Sequence, residues 1–425
     1  MIHNMEKIKI PYGNNEIEFS IPKNNFSELL SPNTPQLPIS NKGEIIRALE
    51  NPIGADRIED IIKPTSKIAI LCEDITRYAQ TDAIISVLIE RLSKAGVSDK
   101  NIKIIMALGS HRPMTDEEKI IKVGKDIFNR FEVINSENKN KKKLINMGLV
   151  SSGVRIWLDP VVYESDFKIG IGSIEPHNVA GYTGGGKIIY PGVVGEETVS
   201  NFHIISAFLG NLTGNPDNQA RITMEKWVDT VGLDYIINAV VTPDNKIYKV
   251  VAGHFVKAHR VGVKYAREVW GIKSNKRIDI AVVSSHPADL DFWQAGKAIV
   301  YCEMAIPDDG FLILITPCYE GMGPHPEYID YIGNNEPEKL IKETKERNKI
   351  TEGVLPLAVG LSVARIRKRI NIAIISDGLT KYDINKAGFF YFKNIDGAIK
   401  FCLEKYGNNA NIAVVTMGGG SYIYK

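Results

Sequence analysis

His177 and Lys187 lie ten residues apart in Pro176-His177-Asn178-Val179-Ala180-Gly181-Tyr182-Thr183-Gly184-Gly185-Gly186-Lys187, and His203 follows in Asn201-Phe202-His203. An amine, two imidazoles and a glycine-rich turn in one short span could supply a covalent attachment point, a metal ligand or proton shuttle, and an anion cradle. Successive glycines let backbone amides approach a phosphate with no β-carbon in the way; a flexible surface turn is the alternative. The spacing is not that of a Walker loop, Gly-x-x-x-x-Gly-Lys-Ser/Thr, and no dinucleotide fingerprint is present here. An ordinary ATPase or nicotinamide dehydrogenase is therefore poorly supported. Lys187 either neutralises a phosphate or bonds an activated carbonyl or thiocarbonyl carbon. His203 falls in a helical stretch, where a core histidine is the ordinary reading.

More chemistry sits where apolar runs end. Lys67-Ile68-Ala69-Ile70-Leu71-Cys72 reads as a buried parallel strand and runs into Glu73-Asp74-Ile75-Thr76-Arg77, and ligands of open α/β sheets bind at such carboxyl ends. Arg77 either clamps a phosphate or carboxylate or pairs with Asp74 at the surface. The next such run, Ile102 to Leu108, ends in Gly109-Ser110-His111-Arg112-Pro113, which suits His111 to proton transfer from a neighbouring strand end. Capping a turn carbonyl is its plainer role. Downstream, Gln294 and Lys297 in Asp291-Phe292-Trp293-Gln294-Ala295-Gly296-Lys297 share a helix face and suit a small carboxylate; a solvated helix start is the alternative. Pro317-Cys318-Tyr319-Glu320-Gly321 reads as pocket wall with Cys318 unassigned. His254 and His259 straddle a helix start and read as structural, and His3, His286 and His325 form no constellation.

These residues need a frame that brings strand ends together. Lys7 to Gly13 and Ile17 to Ile21 alternate about a Gly-Asn-Asn turn and predict an edge hairpin. A Pro, Ser and Asn segment, 31–41, leads to a helix over 43–51. Thr81 to Lys94 has helical periodicity, and Thr115-Asp116-Glu117-Glu118 opens a further helix with a capping box. A second alternating series starts after the basic cluster Lys273 to Arg277, with strands over 278–284, 310–316, 370–376 and 411–416. The reading is α/β: two domains, 1–272 and 273–425, each a mainly parallel sheet flanked by helices.

With 425 residues, 44% hydrophobic and 24% charged, the composition is that of a globular protein large enough for two cores. A net charge of +2 gives no electrostatic case for nucleic acid or a membrane surface. No apolar run approaches the roughly 20 residues that span a bilayer. The N-terminus lacks a secretory pattern, and Cys72, Cys302, Cys318 and Cys402 are scattered, so a soluble cytoplasmic protein is expected.

Taken together, Asp74-x-Thr76-Arg77, Gly109-Ser110-His111-Arg112-Pro113, Pro176-His177-x-x-Ala180-Gly181-x-x-Gly184-Gly185-x-Lys187, Asn201-x-His203 and Gln294-x-x-Lys297 resemble the nickel-pincer lactate racemase family, from about residue 7 to the C-terminus. The resemblance implies an active site in a cleft between the two α/β domains. It implies as cofactor the Ni(II) complex of pyridinium-3,5-bisthiocarboxylic acid mononucleotide, bound to Lys187 through a thioamide, with His203 as the protein ligand to nickel. By the same matching His111 and His177 are the acid/base pair. Asp74, Ile75, Thr76, Arg77, Gly184 and Gly185 would contact cofactor, and Arg77, Gln294 and Lys297 the substrate carboxylate. The implied reaction is racemisation or epimerisation of a small 2-hydroxy acid by reversible hydride transfer, and the implied partners are the proteins that make the cofactor. A net oxidoreductase releasing the 2-oxo acid, or an idle nickel- or nucleotide-binding protein, are the rival readings. Leu108-Gly109-Ser110 stands where lactate-specific members have Thr-Gly-Thr, Tyr78 where proline is common, and Trp293 where tyrosine is usual. Thr351 to Leu357 stands where they carry Asp-Gln-Trp. These departures widen the expected substrate from lactate to malate or a longer acid.

Overall fold

The computed structural model describes residues 5–150, 154–346 and 354–424. Among these, two six-stranded sheets carry the architecture. In the first the spatial order is Ile247–Gly253, Tyr235–Val241, Phe167–Ser173, Ile68–Glu73, Ile102–Ala107 and Glu132–Asn135. All neighbours are parallel except the antiparallel edge strand Ile247–Gly253. In the second the order is Phe390–Tyr391, Asn371–Ile375, Phe311–Ile315, Ile280–Ser284, Ile412–Val415 and Phe26–Leu30, parallel throughout.

The central strands are largely apolar because helices or loops cover both faces of each sheet. Along Ile68–Glu73 every residue is buried. Ala69 and Leu71 join an apolar cluster that also holds Ala281 and Leu314 of the second sheet, while Ile68, Ile70 and Cys72 face the opposite way. The core between the sheets is thus continuous. Helix Thr81–Lys94 lays Ile84, Leu88 and Leu92 on the outer face of the first sheet, a spacing of four that keeps them on one stripe. Helix Asp116–Val123 starts as its sequence predicts: the Thr115 side chain accepts from the Glu118 amide, and the Glu118 side chain accepts from Thr115.

The sequence boundary at residue 272 does not divide the sheets. Phe26–Leu30 lies in register with Ile412–Val415 as the outermost strand of the second sheet, and the hairpin Met5–Tyr12 with Asn15–Pro22 puts Ile8, Ile10, Phe19 and Ile21 against its outer face. Residues 5–30, grouped by sequence with the N-terminal domain, pack on the C-terminal one. The physical reason is a face of Ile280, Val282, Ile313 and Val414 that needs cover. Likewise Tyr235–Val241 and Ile247–Gly253 form an antiparallel pair absent from the sequence reading. Thr351 to Gly353, Met1 to Asn4 and hence His3 lie outside the described residues, while Val354–Arg369 is helix. No helix among the described residues is long and apolar enough to cross a membrane.

Strand order locates the ligand side. From Ile68–Glu73 the chain steps outward to Ile102–Ala107 and Glu132–Asn135, then returns to the other flank at Phe167–Ser173 and moves outward again. The reversal opens a crevice at the carboxyl ends of these strands.

Candidate functional site

A cavity occupies that crevice. Its lining comes from the ends of the first sheet's strands, from the turn and helix after Ser173, and from helix Phe292–Cys302 of the second half. Asp74, Arg77, His111, His177, Gly184, Lys187, His203, Gln294 and Lys297 all border it. Residues more than two hundred positions apart in sequence therefore share one space.

Asp74 and His111 arrive from hydrogen-bonded parallel strands, as their motifs predict. Gly109 has φ +59°, a left-handed conformation that turns the chain back from the strand so that His111 faces the cavity. The His111 Nδ1 is hydrogen-bonded to the Asp74 carboxylate. Burial alone would raise the Asp74 carboxyl, but the neighbouring His111 and Arg77 and the Thr76 hydroxyl hold it well below the usual range. Asp74 therefore stays ionised and fixes the proton of His111 on Nδ1, leaving Nε2 as the acceptor. Thr76 serves Asp74: its amide and hydroxyl donate to Oδ1 at 3.0 and 2.6 Å.

His177 is set the opposite way. Its Nδ1 accepts from the amides of Val179 and Ala180 at 3.1 and 3.2 Å, which assigns its proton to Nε2. Burial, then the charges of Lys187, Arg77, His203 and Lys297, push its pKa well below the ordinary value, so the ring is neutral. The cavity thus offers one imidazole whose Nε2 can accept a hydrogen bond and one whose Nε2–H can donate one.

Lys187 borders the cavity from a short turn, Gly185–Ile188. Burial, then Arg77, Lys297 and Arg221, bring its amine down to about 7, and among the described residues no carboxylate forms an ion pair with it. Lys297 is likewise lowered to about 7, chiefly by burial and Arg77, and its Nζ donates to Gln294 Oε1 one turn earlier on the helix. His203, on helix Glu196–Leu209, is brought to about 4 by burial; its Nδ1 donates to Val199 O at 2.9 Å, so the lone pair is on Nε2. With Arg77, these amines make a pocket suited to phosphate and carboxylate groups.

Not every sequence candidate reaches the cavity. Ile75 packs on the outer core of the first sheet, and Thr76 acts through Asp74. Gly185 is turned away: its amide donates to Asn238 Oδ1 at 2.8 Å, and a β-carbon there would lie 2.6 Å from Arg221 Nη2. Close packing against Arg221, rather than approach to a phosphate, explains that glycine. Sequence reasoning missed Asn238, which borders the cavity. Its signal was one polar residue inside Tyr235-Ile236-Ile237-Asn238-Ala239-Val240-Val241. It also missed the apolar wall of Tyr328, Val359 and Val363, which carries no chemical signature.

Two family models match most of the chain: the lactate racemase N-terminal domain matches residues 12–212 and the lactate racemase C-terminal domain residues 273–423. The chain belongs to the lactate racemase family. Curated relatives named lactate racemase include one from Thermoanaerobacterium thermosaccharolyticum, 28% identical with 97% of this chain and 98% of that protein covered. Another, from Lactiplantibacillus plantarum, is 26% identical with 98% and 99% covered. Among solved structures, the lactate racemase apoprotein of T. thermosaccharolyticum is similar with a TM-score of 0.88 at 24% identity, covering 99% of this chain and 100% of that one. A Thermotoga maritima protein reaches 0.69 at 18% identity. As a member of the lactate racemase family the chain is an isomerase.

By two observations of their own, the residues present fit the nickel nucleotide that the sequence resemblance implies. Among the described residues no carboxylate forms an ion pair with the desolvated Lys187 amine, which in its neutral form can bond an electrophilic carbon. Among the described residues, no group of three His, Cys, Asp or Glu side chains could hold a metal, so an ion beside His203 would take its remaining ligands from a bound molecule.

Proposed function

We propose that this lactate racemase family member interconverts the enantiomers of a small 2-hydroxy acid: lactate, malate or a related acid. The observation that carries the reading is the meeting of His111, His177, Lys187, His203, Arg77 and Lys297 at one cavity. Arg77 and Lys297, with Gln294 beside it, hold the substrate carboxylate, and the same charges retain the 2-oxo acid formed in mid-reaction. His111 Nε2 takes the hydroxyl proton, and the charge that forms on the ring is stabilised by Asp74. His177 Nε2–H donates a hydrogen bond to the substrate oxygen, and the proton held by His111 returns to that oxygen together with the hydride; a tautomer shift that frees His177 Nε2 would make it the base for the opposite enantiomer. Lys187 and His203 would hold the nickel-pincer nucleotide, which would supply a reversible hydride acceptor for the C2 hydrogen. The apolar wall of Tyr328, Val359 and Val363 excludes water from the oxo acid.

Protein produced together with the cofactor-making proteins should carry a mass adduct that Lys187→Ala removes, and His111→Ala and His177→Ala should each abolish interconversion. An unmodified mass with full activity, or substantial turnover by either histidine variant, overturns the reading. Chiral analysis with a panel of hydroxy acids identifies the substrate, and net release of 2-oxo acid would make the protein an oxidoreductase instead.

A further inference from the structure

Directly behind the turn that carries Lys187 lies a cluster the reaction does not use. Arg221 is fully buried on helix Gln219–Val231; its Nη1 donates to Tyr182 O and its Nη2 to Gly184 O, both at 2.9 Å, and its Nε to Glu225 Oε1 at 2.8 Å. His259, also fully buried, bonds Thr183 O through Nε2 at 2.9 Å, while its Nδ1 faces Arg260 Nη1 at 3.0 Å. Arg260 in turn pairs with Glu225 and Asp217. Burial and the two guanidinium groups keep His259 neutral, so one ring nitrogen donates and the other accepts. Three consecutive carbonyls, 182 to 184, thus end on buried cationic or N–H donors, and three residues later comes Lys187. Placing a guanidinium where water cannot reach it is costly unless all its donors are used. Ordinary packing would not call for such a group under a glycine turn.

We propose that Arg221 and His259 are positioning residues for Lys187, clamping the carbonyls of Tyr182, Thr183 and Gly184 so that the turn delivers the anchor amine into the cavity. The inference rests on the reading of Lys187 as the attachment point. It also accounts for Gly185, since a side chain there would strike both Arg221 and the His259 ring.

The test pairs cofactor loading with hydrogen exchange of the cofactor-free protein. Arg221→Lys keeps the charge but reaches only one carbonyl, His259→Leu removes the donor, and His259→Gln retains an N–H. Arg221→Lys and His259→Leu should lower the adduct on Lys187 about tenfold, as loss of an outer-shell partner does elsewhere. They should also speed exchange of the amides over 184–189 while Ile68–Glu73 keeps its protection, and His259→Gln should restore most of both. Wild-type loading and exchange in Arg221→Lys and His259→Leu overturn the proposal. So does equal loss of protection in Ile68–Glu73, because the cluster would then support the sheet and not the turn. If the wild-type protein takes no adduct, the attachment reading fails, while exchange over 184–189 still decides the clamp.

Discussion

A lysine is a nucleophile only after it has lost its proton, and Lys187 sits where burial and the charges of Arg77 and Lys297 remove it near neutrality. Its amine is brought from 10.5 to about 7, so the neutral form dominates above that pH, where an exposed lysine remains an ammonium ion. Acylation of the cofactor-free protein by a small activated ester should therefore be half-maximal at Lys187 near pH 7, and Arg77→Met should move that midpoint upward. Peptide mapping reads both; a midpoint for Lys187 in the ordinary lysine range would refute the desolvation argument. Asp74→Asn, which cannot hold the His111 proton on Nδ1 as a carboxylate does, should lower kcat by about 10²- to 10⁴-fold with little change in KM. Steady-state rates with intact substrate binding check this, and a kcat within a few-fold of wild type rejects the orienting role. At this scale most of the polar residues that border the cavity were legible, because amines and imidazoles at strand ends have few structural uses. Arg221 and Asn238 were not: an arginine inside an amphipathic helix and an asparagine inside a strand look like surface and register residues until the fold buries them.

Elements are held to one another at the site by a charged pair. Glu73, the last residue of Ile68–Glu73, accepts from the Ala79 amide at 2.7 Å and from the Ser173 amide and hydroxyl at 2.6 and 2.9 Å. Lys122, from helix Asp116–Val123, donates to Glu73 at 3.0 Å and to Arg77 O at 2.7 Å. The side chains are only 6% and 9% exposed, so neither charge can fall back on water. This pair ties the loop carrying Asp74 and Arg77 to the strand that leads to His177. Lys122→Met, which leaves the carboxylate buried without its cation, should destabilise the protein by about 3–5 kcal/mol. Adding Glu73→Gln should recover part of that loss. Denaturant unfolding measures it, and a change below about 1 kcal/mol would show the pair to be dispensable. Part of the strands and helices could be read from pattern: Thr81–Lys94 has the bounds its periodicity predicts, and the six parallel strands read from apolar runs agree within one or two residues, whereas Phe167–Ser173, Glu132–Asn135 and Phe26–Leu30 went unread. Strand partners could not be read, since an apolar run states that it is buried and not against what.

At the scale of the molecule, chain order and spatial order part company. Residues 5–30 precede the first sheet in sequence yet complete the second, because its outer face of Ile280, Val282, Ile313 and Val414 has the hairpin as its cover and Ile412–Val415 has Phe26–Leu30 as its flank. No local signal marks such a partner: the hairpin's alternation is legible, its destination is not. Each of Ile8, Ile10, Phe19 and Ile21 is buried, and burying a side chain of this kind contributes about 1.5–3 kcal/mol. A protein of residues 273–425 alone should therefore lose that cover and expose a parallel strand edge, so it should aggregate or bind hydrophobic dye. Joining residues 5–31 to it through a flexible glycine-serine linker should restore a soluble monomer with cooperative unfolding. Size exclusion and thermal melts distinguish the two forms. A monomeric, cooperatively melting 273–425 fragment would show that the second sheet stands without its N-terminal strand, and that the wrap serves only to tie the two halves across the cavity.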